Sequence, residues 1–351
     1  MTASIRTAVI GYGLGGETFH APLIAATPGL ELSAIVTRDE GRRARARAAY
    51  PDVRLVSDVE AILNPEANMG LVVITTPNAT HARIARATID AGIACVVDKP
   101  FAATANEARA IDRLAREKGV VVVPFQNRRW DADFLTLRQL IDDGALGSVF
   151  RFESRFERLR ASPKPRWTSP DALRSAEGII YDLGPHVVDQ ALVLFGRVRD
   201  VYAEADRRHP AVNAEDDAMI ALTHASGVRS HLFMSAVAAQ SGPRLSAYGT
   251  SGAFIKYGLD AQEESLKRGL RPGQPGWGDE PADAWGTLVS NGERRTVPSR
   301  PGAYETFYRG VVATLTRGAP PPVPFEDMVT GLTVLESAHR SAAERRVVSL
   351  L

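Results

Sequence analysis

A chain of 351 residues with one cysteine, Cys95, cannot close an internal disulfide, and it lacks the companion thiolates of a cysteine metal cage. Net charge is missing as well: 42 basic and 41 acidic side chains leave +1. Proteins that neutralise a phosphate polymer or an anionic membrane carry a clear basic excess, so neither nucleic acid nor a membrane is an expected partner. No apolar run approaches the roughly 18 residues of a membrane helix. Met1 to Ile10 has no basic stretch followed by an apolar core and a small-residue cleavage site, and the expected location is the cytoplasm. Lysine is scarce too, five among the 42 basic residues, so each lysine stands out against a background of arginine.

What remains is the composition of a folded enzyme, 44% apolar and 24% charged. At roughly 150 residues per domain the length suggests two. From Ile5 to Phe125, short β-branched runs alternate with amphipathic stretches, the pattern of a doubly wound parallel sheet with crossover helices. The strands are expected at Thr7–Ile10, Leu30–Val36, Leu71–Thr75, Ala94–Val97 and Val120–Pro124. Helices are expected over Ala79–Ala91 and Thr104–Lys118, beginning near the capping candidates Asn78 and Thr104. After Asn127 the pattern changes to half-exposed strands, Ser148–Glu157, Ala218–His224 and Val228–Ala236, with a helix over Ile179–Phe195. The fold class is therefore α/β, a Rossmann-type domain over residues 1–126 followed by an α+β domain over 127–351. Gly269–Pro281, with four glycines and three prolines, reads as an irregular surface excursion, and the arginines from Arg42 to Arg47 read as the solvated face of a helix.

Gly11-Tyr12-Gly13-Leu14-Gly15-Gly16 follows the first strand and opens into a helical stretch, the context in which a G-x-G-x-x-G turn cradles a dinucleotide pyrophosphate. Gly11, Tyr12, Gly13, Leu14 and Gly16 are the expected contacts there. At the end of the second strand stand Thr37 and Arg38. A hydroxyl and a guanidinium suit the 2′-phosphate of NADP, while the nearby Asp39 keeps NAD open. Thr75 and Asn78, with His81 just beyond, lie on a loop expected to line the cofactor crevice. Asn78 has a second reading, as a helix cap.

The fifth strand ends in Asp98-Lys99-Pro100. Lysine suits proton chemistry where arginine does not, because its pKa moves on partial burial. Further on, Asp182, His186 and Asp189 fall near one face of a helix whose other face carries Leu183, Val187, Leu192 and Leu194. Such a triplet can orient an alcohol and accept its proton. The alternatives are a buried histidine satisfied by a carboxylate and, behind it, part of a metal site for which the sequence offers no further ligands. No metal is expected.

Taken together, Gly11 to Gly16, Thr76-Pro77-Asn78 with His81, Asp98-Lys99-Pro100 and Asp182-x-Gly184-x-His186-x-x-Asp189 resemble the Gfo/Idh/MocA oxidoreductases. Thr18 to Leu23, Phe125 to Asp131 and Tyr181 to His186 are similar to a bacterial subgroup that includes NADP-dependent scyllo-inositol dehydrogenases. The resemblance implies a second domain with a large open, mostly antiparallel sheet used to assemble homodimers or homotetramers. It implies catalytic roles for Lys99 and His186, substrate binding by Asp182, and cofactor contact at Lys99, Pro100 and Asn127. Arg166-Trp167-Thr168 departs from the family, which commonly follows this tryptophan with arginine. The implied reaction is hydride transfer between a secondary hydroxyl of a polyol or sugar, first an inositol, and the nicotinamide. A keto sugar or a dihydrodiol are the alternative substrates, and a non-catalytic nicotinamide-binding regulator is the alternative class.

Overall fold

Six runs of largely β-branched residues form one sheet: β1 (Ile5–Ile10), β2 (Leu30–Val36), β3 (Arg54–Val56), β4 (Leu71–Ile74), β5 (Ala94–Val97) and β6 (Val122–Pro124). In the computed structural model, which describes residues 4–350, they lie parallel in the order β3-β2-β1-β4-β5-β6. Every residue of Leu71–Ile74 is buried, as a strand covered on both faces requires. Cys95 is buried in β5, its thiol pushed up to about 12 by burial, and is chemically quiet. The crossovers are α1 (Ala21–Ala25), α2 (Glu40–Ala49), α3 (Glu60–Leu63), α4 (His81–Asp90) and α5 (Ala105–Lys118). Thr104 caps α5, accepting from Glu107 N at 3.1 Å. Asn78 does not cap α4. It lies inside a 3₁₀ turn, Asn78–Thr80, which puts Thr80 rather than Asn78 before the first residue of the helix. The strand order reverses between β1 and β4, so the loops after β1, β4 and β5 open at the place where such sheets receive a nucleotide.

The second sheet follows α6 (Ala132–Asp142). It has nine strands: β7 (Val149–Glu157), β8 (Val198–Asp206), β9 (Asp217–His224), β10 (Arg229–Ser235), β11 (Leu245–Gly249), β12 (Gly252–Lys256), β13 (Gly286–Ser290), β14 (Glu293–Val297) and β15 (Val348–Ser349). Their order is β14-β13-β12-β11-β7-β10-β9-β8-β15. Only the β7–β10 pair is parallel. Burial alternates along β9 and β10, and α7 (Ile179–Phe195) packs on β7, β9 and β10. Then come α8 (Gln262–Lys267), α9 (Glu305–Arg317) and α10 (Phe325–Glu344).

The chain divides into two compact units. The first holds the residues up to Asn127 with Gln262–Trp277 and Ala303–Val329; the second holds Arg128–Ala261, Gly278–Gly302 and the chain from Thr330 on. The returning segments matter locally, because α8 packs beside the turn after β1 and α9 beside α1. No helix of the described residues is long and apolar enough to cross a membrane.

Candidate active site

The chain leaves β1 through Gly11, whose φ of +100° favours glycine. Its amide donates to Val36 O at 3.0 Å, and a Cβ there would sit 2.5 Å from Thr75 O. Gly16 is as crowded, since a Cβ would overlap the carbonyl of Gly11. The Cβ direction of Gly13 is open, with the Arg42 guanidinium nearest at 3.9 Å. Two glycines thus close the turn against the sheet while the third leaves its outer side bare, which fits a pyrophosphate. The following helix starts as a π-helical turn, Gly15–His20, with Glu17 N donating back to Gly13 O at 2.8 Å, and its start presents partial positive charge to the turn. Tyr12 is buried, which raises its phenol, whereas Leu14 is 64% exposed.

Thr37 is buried at the end of β2 and Arg38 is exposed, donating to Ser57 O at 3.2 Å and to Asp58 Oδ1 at 3.0 Å. Asp39 is committed to capping α2 and accepts from Arg42 N at 2.8 Å. The α2 arginines are exposed except for the half-buried Arg43, which donates to Thr37 O at 3.2 Å. Arg38, Arg42 and Arg43 therefore lie around the end of β2, with Asp39 Oδ1 engaged as the cap of α2.

The loops after β4 and β5 are tied together. Thr75 Oγ1 donates to Asp98 Oδ2 at 3.0 Å, and Lys99 N donates to Asp98 Oδ1 at 2.7 Å. His81 is buried, with Nδ1 2.8 Å from Pro100 O and Nε2 2.7 Å from Thr76 O, so its ring is a strut between the two loops. Burial alone would raise the Asp98 carboxyl. His20 foremost, then Lys99 and His81, outweigh burial and hold it well below the usual carboxylate range. Lys99 is half-buried, and its bond to Pro100 is cis. Asn127, the last residue of this unit's first segment, is buried.

In the second unit α7 begins at Gly178, with φ +108°. The Glu215 carbonyl accepts from Ile179 N at 2.8 Å and its carboxyl from Ile180 N at 3.2 Å, covering the first amides of the helix. Asp182, in the first turn, accepts from Lys164 Nζ at 2.6 Å, and that ammonium lies 5.4 Å from the Trp167 ring centre. His186 is buried, its ring nearly parallel to Phe156 with centres 6.3 Å apart. Asp189 is held by both ends of the Arg129 guanidinium, at 2.8 and 2.6 Å, which makes it a structural anion. Trp167 is buried and Arg166 reaches Glu177 at 3.4 Å. Asp182 and His186 thus share one helix, while Lys99 belongs to the first unit. Lys164 was not anticipated, although scarcity of lysine was the available signal. His20 was visible only as part of a motif, with no role attached.

Residues 5–125 match the model described as the oxidoreductase family, NAD-binding Rossmann fold, and residues 134–255 match the Gfo/Idh/MocA C-terminal domain. The chain belongs to the Gfo/Idh/MocA oxidoreductase family. Among its relatives in that family it is 39% identical to the oxidoreductase YdgJ of Escherichia coli, over all of both chains. It is 34% identical to scyllo-inositol 2-dehydrogenase (NADP(+)) IolW of Bacillus subtilis, over 99% of this chain and 96% of that one. The solved structure of the oxidoreductase yvaA from Bacillus subtilis superposes with a TM-score of 0.92 at 33% identity, over 100% of this chain and 99% of that one. This Gfo/Idh/MocA chain is an oxidoreductase with the expected α/β architecture, a parallel six-stranded sheet and a separate, mostly antiparallel nine-stranded one.

Proposed function

We propose that the protein transfers a hydride between a secondary carbinol of a polyol or sugar, an inositol foremost, and NADP. One observation carries the reading: α7 sets His186 one turn from Asp182, with Lys164 clamped on the latter at 2.6 Å. His186 takes the hydroxyl proton, since an imidazole titrates near neutrality and can return the proton in the reverse direction. Lys99 donates to the same oxygen and stabilises its developing negative charge. Asp182 accepts from a neighbouring hydroxyl and fixes the ring. The bound nicotinamide supplies the hydride acceptor. The scheme requires no metal.

NADP is preferred over NAD because the Thr37 hydroxyl and the guanidinium groups of Arg38, Arg42 and Arg43 gather at the end of β2, while Asp39 is occupied as a cap. The similarity to IolW, named for NADP and scyllo-inositol, agrees with this choice. The working form is a homodimer or homotetramer joined through the half-exposed sheet face on which Arg151 stacks over Tyr248 and Arg155 over Phe233. The enzyme works in the cytoplasm, where a nicotinamide pool exists.

The test is an initial-rate screen of inositols, aldoses and keto sugars with both cofactors. NADPH formation from an inositol, abolished by His186→Ala, is the expected result. Cofactor binding without turnover across the whole panel would instead make the protein a nicotinamide-binding regulator.

A further inference from the structure

A line of buried titratable groups runs through the first unit and ends at the residue before Lys99. His20, fully buried, closes the π-helical turn Gly15–His20, and its Nδ1 lies 2.6 Å from the hydroxyl of Tyr308 on α9. Tyr308 is fully buried too, and burial pushes its phenol far up, so it keeps its proton and can donate to Nδ1. With Nδ1 accepting, it is Nε2–H that faces Asp98 Oδ2 at 3.5 Å. Phe125 packs against the imidazole with ring centres 4.2 Å apart, fixing its plane. The other groups facing Asp98 are the Thr75 hydroxyl, Lys99 on its own turn, and His81 of α4, which bridges Thr76 and Pro100. The line runs from Tyr308 through His20 toward the Asp98 carboxylate, its last step a 3.5 Å contact in the low-dielectric interior. Packing alone would be served as well by apolar side chains at positions 20 and 308.

We propose that His20 and Tyr308 are positioning residues that hold Asp98 as an oriented anion, and that Asp98 thereby fixes the turn carrying Lys99. The inference rests on the reading of Lys99 as a reacting group. His20→Leu keeps the apolar packing but removes the Nε2–H that faces Asp98. Burial of the carboxyl then goes unopposed by its first partner, and Asp98 protonates more readily.

The experiment follows initial rates and NADPH affinity, by nicotinamide fluorescence, from about pH 5 to 9. In His20→Leu the acid limb of kcat/KM is expected to move up by about one pH unit or more, with a matching step in NADPH affinity. His20→Gln, whose amide can accept from Tyr308 and donate to Asp98, should restore the native profile. Tyr308→Phe should show a smaller shift in the same direction, and it carries the test if His20→Leu does not fold. Asp98→Asn, which has nothing to titrate, should show no such step in affinity. Profiles of His20→Leu and Tyr308→Phe that superimpose on wild type overturn the inference. Wild-type turnover by Lys99→Met overturns the reading of Lys99 itself, while the affinity profiles still report on the state of Asp98.

Discussion

The ammonium of Lys164 lies 2.6 Å from Asp182 Oδ2, and both side chains are largely shielded, at 24% and 15% exposure. The link joins α7 to a 3₁₀ turn, Pro165–Thr168, that begins one residue after the lysine. An aspartate meant to accept from a substrate hydroxyl must be aimed, and a short ion pair to a shielded ammonium fixes its direction.

Removing that ammonium should therefore damage turnover more than folding. A hydrogen bond to a charged group contributes on the order of 1.5 kcal/mol, so Lys164→Met is expected to lower kcat/KM for the polyol roughly tenfold. Lys164→Arg should recover part of the loss, because a guanidinium retains the charge with different reach. Steady-state kinetics with the best substrate of the screen decide this. An unchanged kcat/KM in Lys164→Met would mean that Asp182 needs no such support.

Cofactor choice gives a second prediction. Arg42 is exposed in the first turn of α2, just beyond Thr37 and Arg38 at the end of β2, with its guanidinium 3.9 Å from the Cβ direction of Gly13. Arg42→Ala should raise KM for NADP about tenfold and leave KM for NAD nearly unchanged, since only the former carries the additional phosphate. The discrimination should also weaken with salt, because the interaction is exposed. Equal effects on both cofactors would place Arg42 at the pyrophosphate instead.

The legible parts of the molecule were those with a local signal. The bounds of β2, β5 and α7 follow their apolar patterns, and α7 is bracketed by Gly178 and Gly196, both at positive φ. Strand β3 is three residues long and has no fully buried position, so it left no run to read. The excursion Gly269–Pro281 is irregular, as its glycines and prolines require. What stayed hidden was long-range pairing. Asp189 looked like a site carboxylate because helical spacing put it beside His186, yet its partner Arg129 lies sixty residues away. The contact between His20 and Tyr308 spans 288 residues and depends on α9 returning to the first unit. No periodicity encodes either pair.

The last prediction concerns pH and stability at the start of α7. Burial, with Asp216 adding to it, raises Glu215 from 4.5 to about 7, and burial lowers His339 from 6.5 to about 4. The two side chains are 3.7 Å apart, the Tyr181 ring stacks on the imidazole, and Glu336 adds a further acidic group near Tyr181. Near pH 6 the folded protein therefore holds a neutral acid beside a neutral imidazole, while the unfolded chain holds a carboxylate and an imidazolium. Both states bind one proton, so this pair contributes no slope to stability between about pH 4.5 and 6.5. Each group alone would contribute one. For Glu215 the folded pKa is raised, so its stabilisation is complete below the unfolded value and is lost as pH rises toward 7, a change on the order of 3 kcal/mol. For His339 the folded pKa is depressed, so stability is lost as pH falls from 6.5. His339→Leu should then become less stable as pH rises through this window, and Glu215→Gln less stable as pH falls, with wild type nearly flat between them apart from slopes common to all three. Urea unfolding midpoints of the three proteins, measured across the window, check the signs, and parallel slopes in the two variants would show that the pair does not titrate as a buried neutral couple.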